Sequence, residues 1–264
     1  MTCRSCEVQA FAKINLTLEV YGKRPDGYHA LRSLVLPISL ADTLLLEPAD
    51  TLSTDTGFAD DLILKAARLL GEGRGAAVKV AKRIPVGGGL GGGSADAAAA
   101  LKGCNELWGL GKTLEELMAI GAQVGSDVPA LIYGKPCIME GRGEVVKPLP
   151  AKLAAEFSKP LNLVLANPGV NSSTREVYAN CTPRLDFSAE KEYNTVPVND
   201  LEAPALRLYP QIGELKALMG PGAHMSGSGS TVFKIVDSGD EALATRDALR
   251  RRGYWAEVAH TIVR

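Results

Sequence analysis

The sequence reads PVGGGLGGGSADAAAA over residues 85–100, a glycine run followed by a run of alanines. Seven of the eight residues at positions 87–94 are glycine or serine. Alanine is the strongest helix former, so we predict a helix that starts here with Ser94 as its N-cap. Glycines let a backbone approach a ligand closely, and the unpaired N–H groups at a helix N-terminus attract anions. The pattern therefore predicts a phosphate-binding loop.

Three other interpretations of this loop are disfavoured by its surroundings. A flexible linker would not lie between the strand-like AAVKVAKRIPV and a strong alanine helix. Gly87, Gly89 and Gly92 also satisfy GxGxxG, but a dinucleotide fold needs a strand ending in Asp or Glu after the helix, and the sequence continues into the helical TLEELMAIGAQ. A Walker loop is excluded because no Gly-Lys-Ser/Thr follows the glycines.

The composition is that of a globular protein with no polyanionic partner. Its 264 residues carry 29 basic and 30 acidic side chains, for a formal net charge of -1, so bulk charge does not attract nucleic acid. The first residues lack the apolar run of a signal peptide, and no stretch of the sequence has the apolar length of a membrane span. We expect a cytoplasmic protein that does not bind membranes and is a monomer or weak homodimer.

The five cysteines indicate a reducing compartment, because an odd number in a chain of this size does not suggest a disulfide framework. Cys3 and Cys6 form a lone CxxC near the N-terminus. A zinc site needs a second pair of ligands, so the pattern favours no metal or redox role for them.

Hydrophobic periodicity predicts the elements around the loop. FAKINLTLEV and YHALRSLVLPISLADTLLLEP alternate like antiparallel strands, and DDLILKAARLLGEG has helical spacing. The alanine helix should stop at Gly109, and Thr113 has the spacing of a capping box with Glu116, opening a helix that ends at Gly125. Ser126 is the expected N-cap of the next short helix, which places Asp127 near a helix start.

The last third predicts a βαββαβ half of the ferredoxin-like kind. After a crossover at residues 151–159, the order is strand, helix, hairpin, helix and strand, in LNLVLANP, PQIGELKALM, AHMSG with STVFKIV, DEALATRDALRRRG and YWAEVAHTIV. We therefore expect an α+β fold with two domains, at residues 1–150 and 151–264.

Motifs in these segments resemble those of a known kinase family. Pro85 with GGGLGGGSADAA resembles the second signature of the GHMP kinases, and MSGSGSTVF at residues 225–233 resembles the third. The opening AKINLTLEVYGKRPDGYHALRSLVLPISLADTL is similar to that of the diphosphocytidyl-methylerythritol kinases, as are GSDVPALIYG, PGVNSSTREVY and the NDLE at Asn199. The resemblance covers nearly the whole chain.

This resemblance implies a fold and a reaction. The fold is the two-domain GHMP kinase fold, with an N-terminal ribosomal-protein-S5-domain-2-like half and a C-terminal ferredoxin-like half. The reaction is ATP-dependent phosphorylation of the tertiary 2-hydroxyl of 4-diphosphocytidyl-2-C-methyl-D-erythritol, with a divalent metal, in the non-mevalonate route to isoprenoid precursors. The expected partners are these two small molecules.

The resemblance also implies the catalytic pair, a cation at Lys13 and a base at Asp127. Phosphoryl transfer needs charge stabilisation and a group that accepts the hydroxyl proton, which a lysine and an aspartate supply. From the residues alone, Asp127 could instead cap its helix, and Lys13 could lie on a solvated or ion-paired strand face.

The remaining site residues follow from the same resemblance. By this resemblance, the acceptor substrate is bound by Asn15, Tyr28, His29, Thr174 and Tyr178. Taken alone, a Tyr-His pair is more often part of the packing of a turn. Those assigned to ATP are Lys82, Pro85, Gly87, Gly89, Leu90, Gly91, Gly92, Gly93, Ser94, Ser226 and Gly227. A plain hairpin turn is the alternative for the last two.

One departure from the family concerns Ala95, where a second serine is common, so one possible ligand hydroxyl is missing. No carboxylate cluster marks a metal site, so we expect Mg²⁺ to bind mainly through the nucleotide and we name no metal ligand. Rival functions are another GHMP enzyme such as homoserine kinase, mevalonate kinase or diphosphomevalonate decarboxylase, a catalytically silent GHMP-fold binding protein, and an oxidoreductase using the GxGxxG.

Overall fold

The computed structural model describes residues 5–185 and 195–263. The chain forms two compact units whose segments interleave along the sequence. Unit 1 comprises the N-terminal residues to Ala12, Leu40–Ile84 and Gly91–Gly134. Unit 2 comprises Lys13–Ser39, Pro85–Leu90 and the described part of Lys135–Arg264. This grouping rests on compactness, and the sequence-based division into domains at residue 150 stays a prediction.

Two long neighbouring strands run through both units, β1 (Cys6–Lys23) and β2 (His29–Pro48). The sequence predicts strands here, and this is confirmed, but the strands are continuous over 18 and 20 residues rather than short. Along much of their length their residues are buried on both faces. Such strands lack simple alternation, which is why the sequence pattern underestimates their length.

Unit 1 contains two further strands and four helices in its described part. In the sheet, β4 (Ala76–Ala81) is antiparallel to β2 and parallel to β3 (Leu52–Thr54). The helices are α1 (Leu62–Leu70), α2 (Gly92–Leu107), α3 (Leu114–Val124) and α4 (Val128–Tyr133). Helix α2 contacts the other three helices of the unit, and its alanines are buried, which allows close packing.

Most predicted helix boundaries in unit 1 are confirmed. Thr113 and Glu116 form the capping box of α3, which ends at Gly125. Gly109, with φ of 62°, follows the last turn of α2. Asp61 caps α1 by accepting hydrogen bonds from two backbone N–H groups.

Two predicted N-caps are wrong. Helix α2 is capped by Gly91, not by Ser94, which is the third helical residue. Gly91 has φ of 72°, and its carbonyl accepts the N–H of Ala95 at 2.8 Å. Only glycine adopts this conformation without strain, so the chain turns into the helix three residues before Ser94. For α4 the N-cap is Asp127 rather than Ser126.

The C-terminal part of unit 2 has the predicted ferredoxin-like βαββαβ order. Its strands pair antiparallel in the order β11-β7-β10-β9, and both helices pack on this sheet. The elements are β7 (Asn162–Asn167), α8 (Pro210–Met219), β9 (Ala223–Met225), β10 (Val232–Val236), α9 (Gly239–Arg251) and β11 (Trp255–His260). The predicted crossover contains α5 (Ala151–Glu156).

The described part of unit 2 has five further elements that the sequence did not predict. Strand β5 (Cys137–Gly141) pairs antiparallel with β2 and with β6 (Val145–Pro148), and β8 (Val198–Asn199) pairs parallel with β1. The short helices are α6 (Thr174–Ala179) and α7 (Glu202–Leu208). No helix in the described ranges combines the length and apolar character that crossing a membrane requires.

Candidate functional site

The first half of the glycine loop, Pro85–Leu90, lies against the turn between β9 and β10 in unit 2. Gly89 has φ of 75°, and a Cβ there would lie 2.3 Å from the carbonyl oxygen of Ser226 and 2.8 Å from that of Gly229. The N–H of Thr231 donates to the carbonyl of Gly88 at 3.0 Å. Backbone therefore packs directly on backbone, which only glycine permits.

Lys13 is buried against this loop, with 4% of its surface exposed. Its Nζ donates to Asn15 Oδ1 at 2.6 Å and to the carbonyl of Gly89 at 3.2 Å, and its N–H donates to the carbonyl of Leu90 at 3.1 Å. A solvated strand face, one of the two alternatives for this lysine, does not fit this burial. A buried ammonium group beside the glycine loop can attract an anion that binds there.

Ser226 joins the loop to β1. Its Oγ donates to the carbonyl of Gly89 at 3.0 Å and accepts the N–H of Asn15 at 3.2 Å. Gly227, with φ of 58°, approaches so closely that a Cβ would lie 3.0 Å from the Gly89 oxygen. These residues do form a hairpin turn, and the same turn also holds the glycine loop.

Sequence reasoning missed Asn199 as a support of this turn. Its Nδ2 donates to the carbonyl oxygens of Met225 at 2.9 Å and Gly227 at 2.8 Å, and its Oδ1 accepts the N–H of Leu201. Its signal was the NDLE motif, which identified a family but no role. In the structure the motif fixes the Ser226 turn.

We expect Gly89→Ala to destabilise the protein far more than Gly27→Ala. Both glycines have left-handed φ values, of 75° and 83°, and so carry a backbone penalty of roughly 1–2 kcal/mol. Nothing lies within 4 Å of a Cβ at Gly27, whereas at Gly89 the overlap with backbone adds about 1–3 kcal/mol. Urea unfolding of the two variants measures the difference, and equal losses of stability would contradict the close packing of the loop.

A second group of side chains in unit 2 is aromatic. The rings of His29 and Tyr178 stack at 5.8 Å between centroids and 24° between planes. Tyr28 is 53% exposed, and the guanidinium of Arg142 lies 5.1 Å from its ring centroid. Burial, helped by the charge of Lys23, lowers the pKa of His29 and favours the neutral ring. The structure therefore brings together two of the residues assigned to the acceptor substrate.

Thr174 begins helix α6, whose N-cap is Ser173. Thr174 is exposed as a residue, and its Oγ1 lies 2.8 Å from Oγ of the buried Ser228. Tyr178 lies one turn along the same helix, so the stacked ring and this hydroxyl share a short rigid support.

In unit 1, the second half of the loop forms the start of α2 beside Lys82. Its Nζ donates to Oδ2 of Asp42 and of Asp96, each at 2.5 Å, and would lie 3.7 Å from a Cβ at Gly92. Asp42 is fully buried, and its Oδ1 accepts two backbone N–H groups. At the position of the missing serine, Ala95 is buried.

Asp96 is a buried carboxylate that sequence reasoning missed. Its Oδ1 has no hydrogen-bond partner among the described residues, and 4% of the residue is exposed. Burial raises the pKa of Asp96 from 3.8 to about 7, the charge of Asp42 adds to this, and Lys82 opposes it. Burial alone would lower the pKa of Lys82, but its bonds to both carboxylates raise it. Near neutral pH the three groups therefore carry a net charge of -1 when Asp96 is ionised and are neutral together when Asp96 is protonated.

We expect Asp96→Asn to change how stability depends on pH. Because the folded-state pKa of Asp96 is raised, the folded state binds its proton more tightly, and stability falls as pH rises from roughly 4 to about 7. Lys82 stays charged over this range. The variant lacks the titration, so its free energy of unfolding relative to wild type should rise by up to about 1.4 kcal/mol per pH unit. Denaturant unfolding from pH 5 to 8 tests this, and parallel curves would contradict the raised pKa.

Asp127 is the half-buried N-cap residue of α4 in unit 1. Its side chain makes no capping hydrogen bond, so the capping alternative is not supported. A Cβ at Gly125 would lie 3.9 Å from Oγ of Ser94, which places this turn beside the first turn of α2.

The predicted site residues divide between the two units. Unit 1 carries Lys82, Gly91, Gly92, Gly93, Ser94 and Asp127. Unit 2 carries Lys13, Asn15, Tyr28, His29, Pro85, Gly87, Gly89, Leu90, Thr174, Tyr178, Ser226 and Gly227. Their individual roles stay predictions. Cys3 lies outside the described residues, and Cys6 is buried with its thiol donating to Glu106 Oε2 at 3.5 Å.

Two family models match this chain. Residues 61–135 match the N-terminal domain of the GHMP kinases, and residues 188–254 match their C-terminal domain. The first range contains the whole glycine loop and Asp127, and the second contains the Ser226 turn. The chain belongs to the GHMP kinases, and it is an ATP-dependent small-molecule kinase.

Full-length relatives place it in one branch of that family, the 4-diphosphocytidyl-2-C-methyl-D-erythritol kinases. The relative of that name from Paramagnetospirillum magneticum is 41% identical and aligns over 91% of this chain and 92% of its own length. The relative of that name from Thermodesulfovibrio yellowstonii is 38% identical and aligns over 100% of this chain and 98% of its own length. A crystal structure of 4-(cytidine 5'-diphospho)-2C-methyl-D-erythritol kinase has a TM-score of 0.80 at 35% identity, covering 96% of this chain and 99% of that one.

More distant structures share the fold alone. A homoserine kinase from Cytophaga hutchinsonii has a TM-score of 0.72 at 16% identity, covering 99% of this chain and 96% of its own. The predicted two-domain GHMP kinase fold is thus confirmed.

Proposed function

We propose that this chain transfers the terminal phosphoryl group of ATP to the 2-hydroxyl of 4-diphosphocytidyl-2-C-methyl-D-erythritol, in the non-mevalonate route to isoprenoid precursors. Relatives that bear this substrate's name align over nearly the whole chain. The structural observation that carries the proposal is the buried Lys13 amine, hydrogen-bonded to the Gly89 carbonyl of the glycine loop. This arrangement offers a fixed cation to a phosphate bound at the loop.

In the proposed reaction, the substrate oxygen attacks the γ-phosphorus and ADP leaves. Asp127 accepts the proton of the attacking hydroxyl, and Lys13 stabilises the negative charge on the transferring group. Asp127 makes no capping hydrogen bond at the start of α4, which supports a role other than helix capping. Asn15 fixes Lys13 through its Oδ1.

The acceptor would bind through the aromatic group of unit 2. Stacking on a flat cytosine ring suits the exposed Tyr28 and the parallel rings of His29 and Tyr178, and Thr174 offers a hydroxyl. Burial favours a neutral imidazole at His29, which can donate from one nitrogen and accept at the other.

ATP would bind the glycine loop, through backbone N–H groups and Ser94 at the start of α2, with Lys82 beside it. Mg²⁺ bound to the nucleotide would neutralise phosphate charge. No group of three or more His, Cys, Asp or Glu in the described residues could hold a metal, and Asp42 and Asp96 both bind Lys82. The phosphates of the nucleotide, rather than protein side chains, would therefore supply most of the non-water ligands of Mg²⁺ in the bound complex. We also propose a cytoplasmic enzyme that is a monomer or weak homodimer; the odd number of cysteines supports a reducing compartment.

The test is ADP release from ATP and magnesium with three acceptors in parallel, the cytidylyl substrate, mevalonate and homoserine. We expect turnover with the cytidylyl substrate alone, and a product whose ³¹P spectrum gains one phosphomonoester resonance. Turnover with mevalonate or homoserine instead would assign a different GHMP kinase activity. Nucleotide binding without turnover of any acceptor would indicate a catalytically silent binding protein.

A further inference from the structure

Three alternate serines of the turn between β9 and β10 make different contacts within unit 2. Ser226 bonds the glycine loop through the Gly89 carbonyl. Ser230 bonds within the ferredoxin-like half, donating to the carbonyl of Val170 at 2.5 Å and accepting from Asn167 Nδ2 at 3.1 Å. Ser228 lies between these two serines in the turn. Its hydroxyl lies 2.8 Å from Oγ1 of Thr174, and either group can donate.

The backbone of Ser228 is fixed independently of this contact. Its carbonyl accepts the hydroxyl of Ser172 at 2.6 Å, and both serines are buried, with 7% and 8% of their surfaces exposed. The Ser228 side chain therefore starts from a rigid position, while Thr174 is exposed. A hydroxyl on a rigid buried residue that hydrogen-bonds the hydroxyl of an exposed residue restricts the rotamer of the exposed side chain.

We propose that Ser228 is a positioning residue that holds the Thr174 hydroxyl in the orientation needed by the acceptor substrate. The inference rests on the proposed function, in which Thr174 binds that substrate. Two positions along the same turn, Ser226 holds the glycine loop, so one turn supports both substrates through separate side chains. Loss of the Ser228 hydroxyl should then weaken the acceptor and leave ATP unaffected.

The net effect of one hydrogen bond is roughly a three- to tenfold change in an equilibrium constant. We therefore expect Ser228→Ala to raise the KM for the acceptor by that factor, with kcat and the KM for ATP within twofold of wild type. Ser228→Thr keeps the hydroxyl and should restore the acceptor KM. Ser230→Ala is the matched control, because it removes a buried hydroxyl of the same turn that bonds Val170 and Asn167 instead, and it should leave the acceptor KM within twofold of wild type.

A double-mutant cycle shows whether Ser228 acts through Thr174. In a Thr174→Val background the Ser228→Ala change should have no further effect on acceptor KM, because its partner is already gone. The same cycle is measured as acceptor affinity by calorimetry without ATP. Additive effects, or an equal rise in the KM for ATP, would overturn the inference while wild-type turnover stands. Failure of wild type to bind or turn over the acceptor would overturn the proposed function, and this inference with it.

Discussion

Asp127→Asn should reduce kcat with the cytidylyl acceptor by about 10²- to 10⁴-fold. General bases contribute roughly 10²- to 10⁴-fold, and an amide of the same shape cannot accept the hydroxyl proton. Because the carboxylate makes no capping hydrogen bond, the substitution leaves α4 its backbone structure. Steady-state kinetics and binding of both substrates measure the effect, and we expect Kd values within a few-fold of wild type.

The control for Asp127 is a residue of the same unit that does cap a helix. Thr113 accepts the N–H of Glu116 in the capping box of α3, so Thr113→Ala should cost about 1 kcal/mol of stability and leave kcat unchanged. Asp127→Asn should show the opposite pattern. An Asp127→Asn variant that loses stability but keeps most of its turnover would show that Asp127 has a purely structural role.

The ferredoxin-like half could be predicted from sequence because each of its elements has clear periodicity and ends in turn residues. Helix α8 begins at Pro210 and ends before Gly220, and both signals are visible in the sequence. By contrast β8 has two residues, and its pairing with β1 depends on residues far apart in the chain. The N-cap of α2 was misplaced because Ser94 is the usual capping residue type and the left-handed turn at Gly91 has no sequence signal of its own within a glycine run.

The site divides in the same way. The glycine run alone predicts a phosphate loop, whereas Lys13 and Asp127 follow only from the family resemblance. The Asp42–Lys82–Asp96 cluster could not be predicted, because Asp42 lies in a long strand and Asp96 within an alanine run, where each looks like a solitary polar residue. Asn199 and Ser228 act on backbone or on another hydroxyl, and no short-range pattern marks such contacts.

Lys13→Met should reduce kcat by at least about 10³-fold, because a cation that stabilises charge on a transferring phosphoryl group is worth roughly 10³- to 10⁵-fold. Methionine retains most of the buried volume, so the core around β1 should stay packed. The KM for ATP should change less than kcat, because the proposed interaction strengthens as charge develops on the transferring group. Steady-state kinetics, with thermal unfolding of the same samples, provide both measurements.

The lysine also has a structural contact, and Ser226→Ala separates the two roles. Lys13 Nζ and Ser226 Oγ both donate to the carbonyl of Gly89, at 3.2 and 3.0 Å, but only the lysine is charged. If Lys13 acted only by holding this carbonyl, the two substitutions would lower kcat by similar factors. We expect roughly a tenfold loss for Ser226→Ala, consistent with one neutral hydrogen bond, and a loss about a hundred times larger for Lys13→Met. Equal losses would assign Lys13 to support of the loop and require another cation for the transfer.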